Sequence, residues 1–258
     1  WIFGVGSQRR ELDDSRPAID RWSTLKREAP GLVILGNLGL SQVISSDLPT
    51  VQKLVKNLSA DAFCVHLNAL QEVLQPEGTP QFKGGILALR KLSRSLGVPL
   101  IIKETGCGFS NKTLEKIVGL NPFAVDVSGL GGTHWGRIEG MRAADEENFT
   151  RSTTAETFKN WGVTTADSVR FARKKLPKKV EIWASGGVRS GLDAARLISI
   201  GATRVGFANP ALAAALQSYE ILNQWMETME FELRTALFCT GNRTPMELRN
   251  KKMKRRRA

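Results

Sequence analysis

Seven short apolar runs recur along the chain, and most of them end in a polar or glycine-rich stretch. They fall at residues 1–6, 32–35, 62–65, 100–102, 123–127, 180–184 and 204–208. Their apolar positions do not alternate with polar ones, which predicts strands buried on both faces, as in a parallel sheet. Segments of helical spacing lie between them. Val51, Leu54, Val55 and Leu58 follow Asp47, a candidate N-cap, with Pro49 in the first turn. Ile86, Leu89, Leu92 and Leu96 form a second stripe, and Leu114, Ile117 and Val118 a third, capped at Ser110 or Asn111. Val169, Phe171, Ala172 and Leu176 follow a cap at Thr164 or Thr165. A helix over 193–200 comes next, and Asn209-Pro210 opens a last helical region running to about Phe238. Residues 136–160 are charged, Thr-rich and poor in periodicity, and read as a long loop or lid over the strand ends.

Strands alternating with helices at this interval predict an α/β protein of repeated βα units, a (β/α)8 TIM barrel. Such a barrel closes with eight strands, seven are visible, and the chain opens inside a run. The expectation is therefore that the first strand is missing from this chain. One catalytic domain over 1–249 and a basic, disordered tail over 250–258 complete the predicted organisation.

Composition narrows the function. No apolar run approaches the roughly 20 residues of a membrane span, so no membrane partner is expected. Three cysteines, Cys64, Cys107 and Cys239, have no metal-like spacing and suggest a reducing, cytoplasmic setting. The net charge of +12 evokes nucleic acid, but six positive charges lie in Lys251-Lys252-Met253-Lys254-Arg255-Arg256-Arg257, without interleaved aromatics. No nucleic acid is expected, and the remaining excess suits anionic substrates.

The densest candidate chemistry is His66-Leu67-Asn68-Ala69-Leu70-Gln71-Glu72, directly after a strand. Polar residues leaving the C-terminal ends of barrel strands point into the active-site mouth. Gly186-Gly187 with Arg189, and Ala208-Asn209-Pro210, follow the last two strands, where such barrels frequently bind phosphate; a plain βα turn is the alternative. Gly129-Leu130-Gly131-Gly132-Thr133 could complete the cradle or act as a loop hinge. Lys103 ends an apolar strand and faces the mouth or barrel interior, and Asp126 is a candidate partner for a neighbouring cation. Glu72 or Glu104 could hold Mg²⁺ with a substrate's phosphates, and Arg9 with Arg10 could clamp a diphosphate. With only His66 and His134 in the chain, a zinc site is not expected.

These segments resemble the type 2 isopentenyl diphosphate isomerases. The resemblance rests on Gly4-Val5-Gly6-Ser7-Gln8-Arg9, the heptapeptide at 66–72, Gln75-Pro76-Glu77-Gly78 and Phe82-Lys83-Gly84. It continues through Lys103-Glu104 with Gly106 and Gly108, residues 126–135, and Ser185-Gly186-Gly187-Val188-Arg189. It implies an FMN-dependent barrel that interconverts isopentenyl and dimethylallyl diphosphate, using reduced FMN, Mg²⁺ and NADPH, and assembling as a homotetramer or larger. Carried over, Ser7, Asn37, Lys103, Ser128 and Thr133 would contact FMN, with Gly186, Gly187, Arg189 and Ala208 at its phosphate. Arg9, His66, Asn68 and Gln71 would hold substrate, Gln71 being catalytic, and Glu72 would carry Mg²⁺. The family's earlier Arg-Lys pair and Met-Thr-Gly-Gly turn are not in this sequence. Two rivals remain. One is an FMN-dependent oxidoreductase of the 2-hydroxy acid type, which would want a histidine base after a late strand. The other is an inactive barrel fragment whose basic tail binds polyanions.

Overall fold

The computed structural model describes residues 1–14 and 16–251. The chain runs β1 (Ile2–Gly4), α1 (Arg9–Asp13), α2 (Arg16–Glu28), β2 (Val33–Gly39), α3 (Leu40–Ser45), α4 (Leu48–Leu58) and β3 (Ala62–His66). It continues α5 (Ala69–Leu74), α6 (Gly85–Ser95), β4 (Leu100–Lys103), α7 (Asn111–Val118), β5 (Ala124–Asp126), α8 (Trp135–Asp145) and α9 (Phe149–Thr157). It finishes α10 (Thr165–Lys175), β6 (Glu181–Ala184), α11 (Gly191–Ser199), β7 (Arg204–Val205), α12 (Asn209–Ala215), α13 (Tyr219–Cys239) and α14 (Pro245–Asn250). The strands form one sheet in the order β1 to β7, and every pair is parallel. This is a curled, partial (β/α)8 barrel, as the strand–helix alternation predicts.

Successive side chains on a strand face opposite ways. On the helix-bearing face, Ile34, Leu38, Phe63, Val65, Ile102, Val125 and Ile182 join Val51, Leu54, Leu89, Leu114 and Val169 in the main core. The intervening residues Leu35, Ala62, Cys64, Ile101 and Ala124 form a separate apolar plug on the concave face, with Trp183 against it. Cys64 is a buried free thiol there, and desolvation pushes it up to about 12. Gly36 is required beside Phe63, because a Cβ at 36 would lie 2.5 Å from the ring.

Side-chain caps settle two helix starts. Ser110 accepts from the Thr113 N–H at 3.2 Å and Thr164 from the Asp167 N–H at 3.1 Å, so these two residues do the capping. Asp47 accepts from the Thr50 N–H at 2.9 Å, as expected.

The sequence reading fails most clearly over 136–160. That segment is not a loop but the paired helices α8 and α9. The buried face of α8 is Gly136, Glu139, Gly140 and Ala143, which has helical spacing but no large apolar residue to announce it. The glycine lets the helices touch, since a Cβ at Gly140 would lie 2.3 Å from that of Ala155. The seventh strand is shorter than expected. Phe207 leaves it to stack edge-on against Trp225 at 4.5 Å and Trp1 at 5.8 Å. The last helical region is broken before Ser218, whose hydroxyl caps α13. Helices α1, α2, α3, α5 and α14 have no counterpart in the apolar pattern. The predicted tail at 250–258 lies mostly outside the described residues, and Asn250 belongs to α14. Among the described residues no helix is long and apolar enough to cross a membrane.

Phe63 is fully buried where β2, β3 and the helical layer meet. Phe63→Ala should cost about 3–5 kcal/mol, read as a lower midpoint in urea unfolding.

Candidate active site

The concave face changes character above the plug. Continuing the alternation, β2 to β6 place Asn37, His66, Lys103, Asp126 and Ser185 on that face near their C-terminal ends. His66 pairs in register with Lys103, and Lys103 with Asp126. The side chains then connect. His66 Nδ1 lies 2.9 Å from Asn37 Oδ1, Lys103 Nζ 4.0 Å from Asp126 Oδ2, and the Ser185 hydroxyl donates to Asp126 Oδ1 at 2.8 Å. Asp126 thus has the cationic neighbour expected of it. Desolvation, followed by the charge of Lys103, pushes His66 down to about 3.

Immediately after β3 the chain turns into α5, which carries Gln71 and Glu72, while Asn68 stands at its start. Asn68 Nδ2 donates to Gln71 Oε1 at 3.2 Å and to Glu72 Oε1 at 3.1 Å, and the Thr79 N–H donates to Glu72 Oε2 at 2.7 Å. Glu72 therefore tethers the 75–80 loop. Gln71 Nε2 donates to Glu139 Oε1 at 3.1 Å. Glu139 is almost fully buried, and Arg142 reaches its other oxygen at 2.9 Å while standing 3.5 Å from Glu77. Arg9 donates to the carbonyl of Glu77, joining α1 to the same cluster. Glu139 is the site residue that the sequence reading missed. Its signal, four residues after Trp135 on a face of small residues, was hidden in the supposed lid.

Glu104 works differently from Glu72. Its Oε2 accepts from the Thr105 and Cys107 N–H groups at 2.7 and 2.5 Å, making it the clamp of the β4–α7 turn. Desolvation pushes its carboxyl up to about 7, against the opposing effect of those N–H groups and Lys103. Cys107 lies 3.4 Å from His134 Nε2, but this is not an activated thiol. His134 Nδ1 accepts from the Arg137 N–H, so a neutral ring carries its hydrogen on Nε2 and has no lone pair for the sulfur. Burial, and then Glu104, push that thiol up to about 12.

The glycine turns after β5 and β6 pack backbone to backbone. A Cβ at Gly187 (φ +84°) would lie 2.5 Å from the Gly131 carbonyl group, and one at Gly132 2.5 Å from the Gly187 nitrogen. Ser128 is buried beneath them, and its carbonyl accepts from the Gly106 and Gly108 N–H groups. The cap position of α12 is Ala208, which has no side-chain oxygen to offer the N–H groups of the first turn, and Pro210 in that turn carries no N–H. Arg189 and Ala208 are exposed, as are Ser7 and Thr133; no described side-chain hydrogen bond joins these four to the polar layer.

Comparison with known proteins agrees with this picture. Residues 86–255 match the model of the FMN-dependent dehydrogenase family. The fold is shared with a flavocytochrome b2 variant holding benzoylformate (TM-score 0.57, 17% identity, covering 85% of this chain and 53% of that one). Mandelate oxidase with benzoyl-formic acid gives a TM-score of 0.56 at 14% identity, covering 96% of this chain and 76% of that one. Fold and site together define an FMN-dependent barrel protein.

Curated relatives are more specific. An isopentenyl-diphosphate delta-isomerase of Legionella pneumophila (strain Corby) is 51% identical over 252 residues, which cover 97% of this chain and 72% of the relative. Isopentenyl-diphosphate delta-isomerases of Bdellovibrio bacteriovorus and a Synechococcus species are 47% and 41% identical, covering 98% and 93% of this chain and 72% and 68% of theirs. The chain belongs to the FMN-dependent, type 2 family of isopentenyl-diphosphate delta-isomerases.

The residues present fit that cofactor. An ammonium and hydrogen-bonding side chains line the concave face, the glycine turns permit close backbone approach, and α12 starts uncapped. Among the described residues Asn68 Oδ1 is buried without a partner, a polar atom that a ligand would satisfy.

Glu104 generates a pH prediction. A carboxyl raised in the folded state stabilises below its ordinary value of 4.5, and that contribution is lost as pH rises through about 7. Glu104→Gln should therefore gain stability relative to the parent across that window, measured by urea unfolding at stepped pH.

Proposed function

We propose that this chain interconverts isopentenyl and dimethylallyl diphosphate with reduced FMN and Mg²⁺, NADPH keeping the flavin reduced. The observation that carries the reading is the Gln71 carboxamide, held from both ends inside the family's heptapeptide. Glu139 takes its N–H and Asn68 supplies a donor to its oxygen. The reaction moves a proton on and off an unactivated alkene, so a carbocation-like centre must be tolerated. A buried carboxylate acting through a neutral amide provides negative potential there without offering a nucleophile of its own. When bound, reduced FMN supplies an electron-rich ring suited to such proton traffic.

In this reading Ser7, Asn37, Lys103, Ser128 and Thr133 surround the flavin. Gly186, Gly187, Arg189 and Ala208 hold its phosphate. Lys103 contributes positive charge at the mouth. Arg9, His66 and Asn68 hold the substrate, and Gln71 stands beside the reacting carbons. Glu72 carries Mg²⁺: it is an acceptor-only group with lone pairs beyond its two internal hydrogen bonds, and Mg²⁺ bound to a diphosphate needs few protein carboxylates. The catalytic unit is a single domain over 1–249, cytoplasmic, in a homotetramer or larger assembly. Phe231 and Phe238, exposed seven residues apart on α13, support self-association. The hydroxy-acid alternative lacks its base, since no histidine follows His134.

The test begins with FMN binding by the purified chain and the appearance of dimethylallyl diphosphate under reducing, anaerobic conditions with Mg²⁺. Gln71→Ala should lower kcat on the order of 10² or more with FMN still bound. Glu139→Gln should lower kcat about tenfold, by loosening the hold on Gln71. Glu72→Ala should raise the Mg²⁺ needed for half-maximal rate. Near-normal turnover in all three would remove this cluster from the site.

A further inference from the structure

The His66 ring has its hydrogen assigned by its neighbours. At the far end of Asn37, Nδ2 lies 3.1 Å from the Val5 carbonyl oxygen. That oxygen can only accept, so the nitrogen of the carboxamide belongs there and the oxygen faces His66. A carboxamide oxygen also only accepts. His66 Nδ1, 2.9 Å away, must therefore be the donor.

The backbone of Asn37 is held on both sides, which fixes where its side chain starts. Gln8 is almost fully buried, its Oε1 accepts from the Asn37 N–H at 3.1 Å, and its own N–H donates to the Asn37 carbonyl at 2.8 Å. Gln8 Nε2 is fixed in turn by Glu11 at 2.9 Å. Burial and the nearby Lys103 keep the ring uncharged at ordinary pH. A neutral ring with its hydrogen on Nδ1 has a bare lone pair on Nε2. That atom borders the space over Gly39, where a Cβ would stand 3.1 Å from it, and the Gln42 carboxamide borders the same space. Among the described residues nothing hydrogen-bonds to Nε2.

We infer that Asn37 is a positioning residue that presents His66 to the site as a neutral hydrogen-bond acceptor, so that this corner receives an O–H or N–H donor and not a bare phosphate oxygen. The inference deepens the isomerase reading and rests on it for the ligand's identity. The negative charge of a diphosphate then falls to Arg9, Lys103 and the metal. His66 can meet the diphosphate only through a protonated oxygen, or else it meets an N–H of the cofactor.

The two histidines make the test clean. In ¹⁵N-labelled, FMN-loaded protein, long-range ¹H–¹⁵N correlation separates the tautomers, and His66→Gln assigns the signals. His134, with Nδ1 accepting from Arg137, serves as a control of the opposite tautomer. The expected result is an Nδ1–H signature for His66 that persists as a neutral ring on adding isopentenyl diphosphate and Mg²⁺. Asn37→Ala should release the ring into a tautomer mixture, and Asn37→Asp, which keeps an acceptor oxygen, should return the hydrogen to Nδ1. An Nε2–H signature in the parent protein, an imidazolium signature in the complex, or no change in Asn37→Ala would overturn the inference. The parent spectrum decides without any variant having to fold. Absence of turnover with the Nδ1–H signature intact would count against the isomerase reading alone.

Discussion

Alternation of side chains along strands covered on both faces is the constraint from which the rest follows. The same five strands send Ile34, Phe63, Ile102, Val125 and Ile182 to the helices and Leu35, Cys64, Ile101, Ala124 and Trp183 to the concave side. Two residues further on, the concave series becomes Asn37, His66, Lys103, Asp126 and Ser185. The apolar plug is therefore the floor of the site. It desolvates the layer above it, which is why His66 resists protonation.

The barrel was legible because its strands are continuous apolar runs and its main helices carry large residues at helical spacing. Asp47, Ser110 and Thr164 marked three helix starts through the chemistry of their side chains. The rest escaped for a physical reason. Helix α8 buries glycine, alanine and a glutamate, so its inward face looks polar in sequence. The heptapeptide could be recognised as chemistry-bearing, but the partner that fixes Gln71 lies 68 positions away and pairs by hydrogen bonding alone. Likewise the expectation that Asn37 faces a cofactor gave no hint that both ends of its side chain meet protein atoms.

Fold and chemistry separate in this molecule. Mandelate oxidase shares the barrel at 14% identity, while the isomerase relatives reach 51%. The site of this chain combines an uncharged imidazole, a clamped carboxamide and a buried glutamate, groups that bind and orient. The barrel is the shared architecture on which such groups are placed.

The contact between Gly140 and Ala155 joins two helices almost at backbone distance, at the residue next to the Glu139 that grips Gln71. A bulkier residue in place of Ala155 would wedge the hairpin apart and carry the glutamate with it. The constraint on the chemistry thus extends to a plain alanine, buried in the seam of the hairpin, that makes no hydrogen bond to the cluster itself.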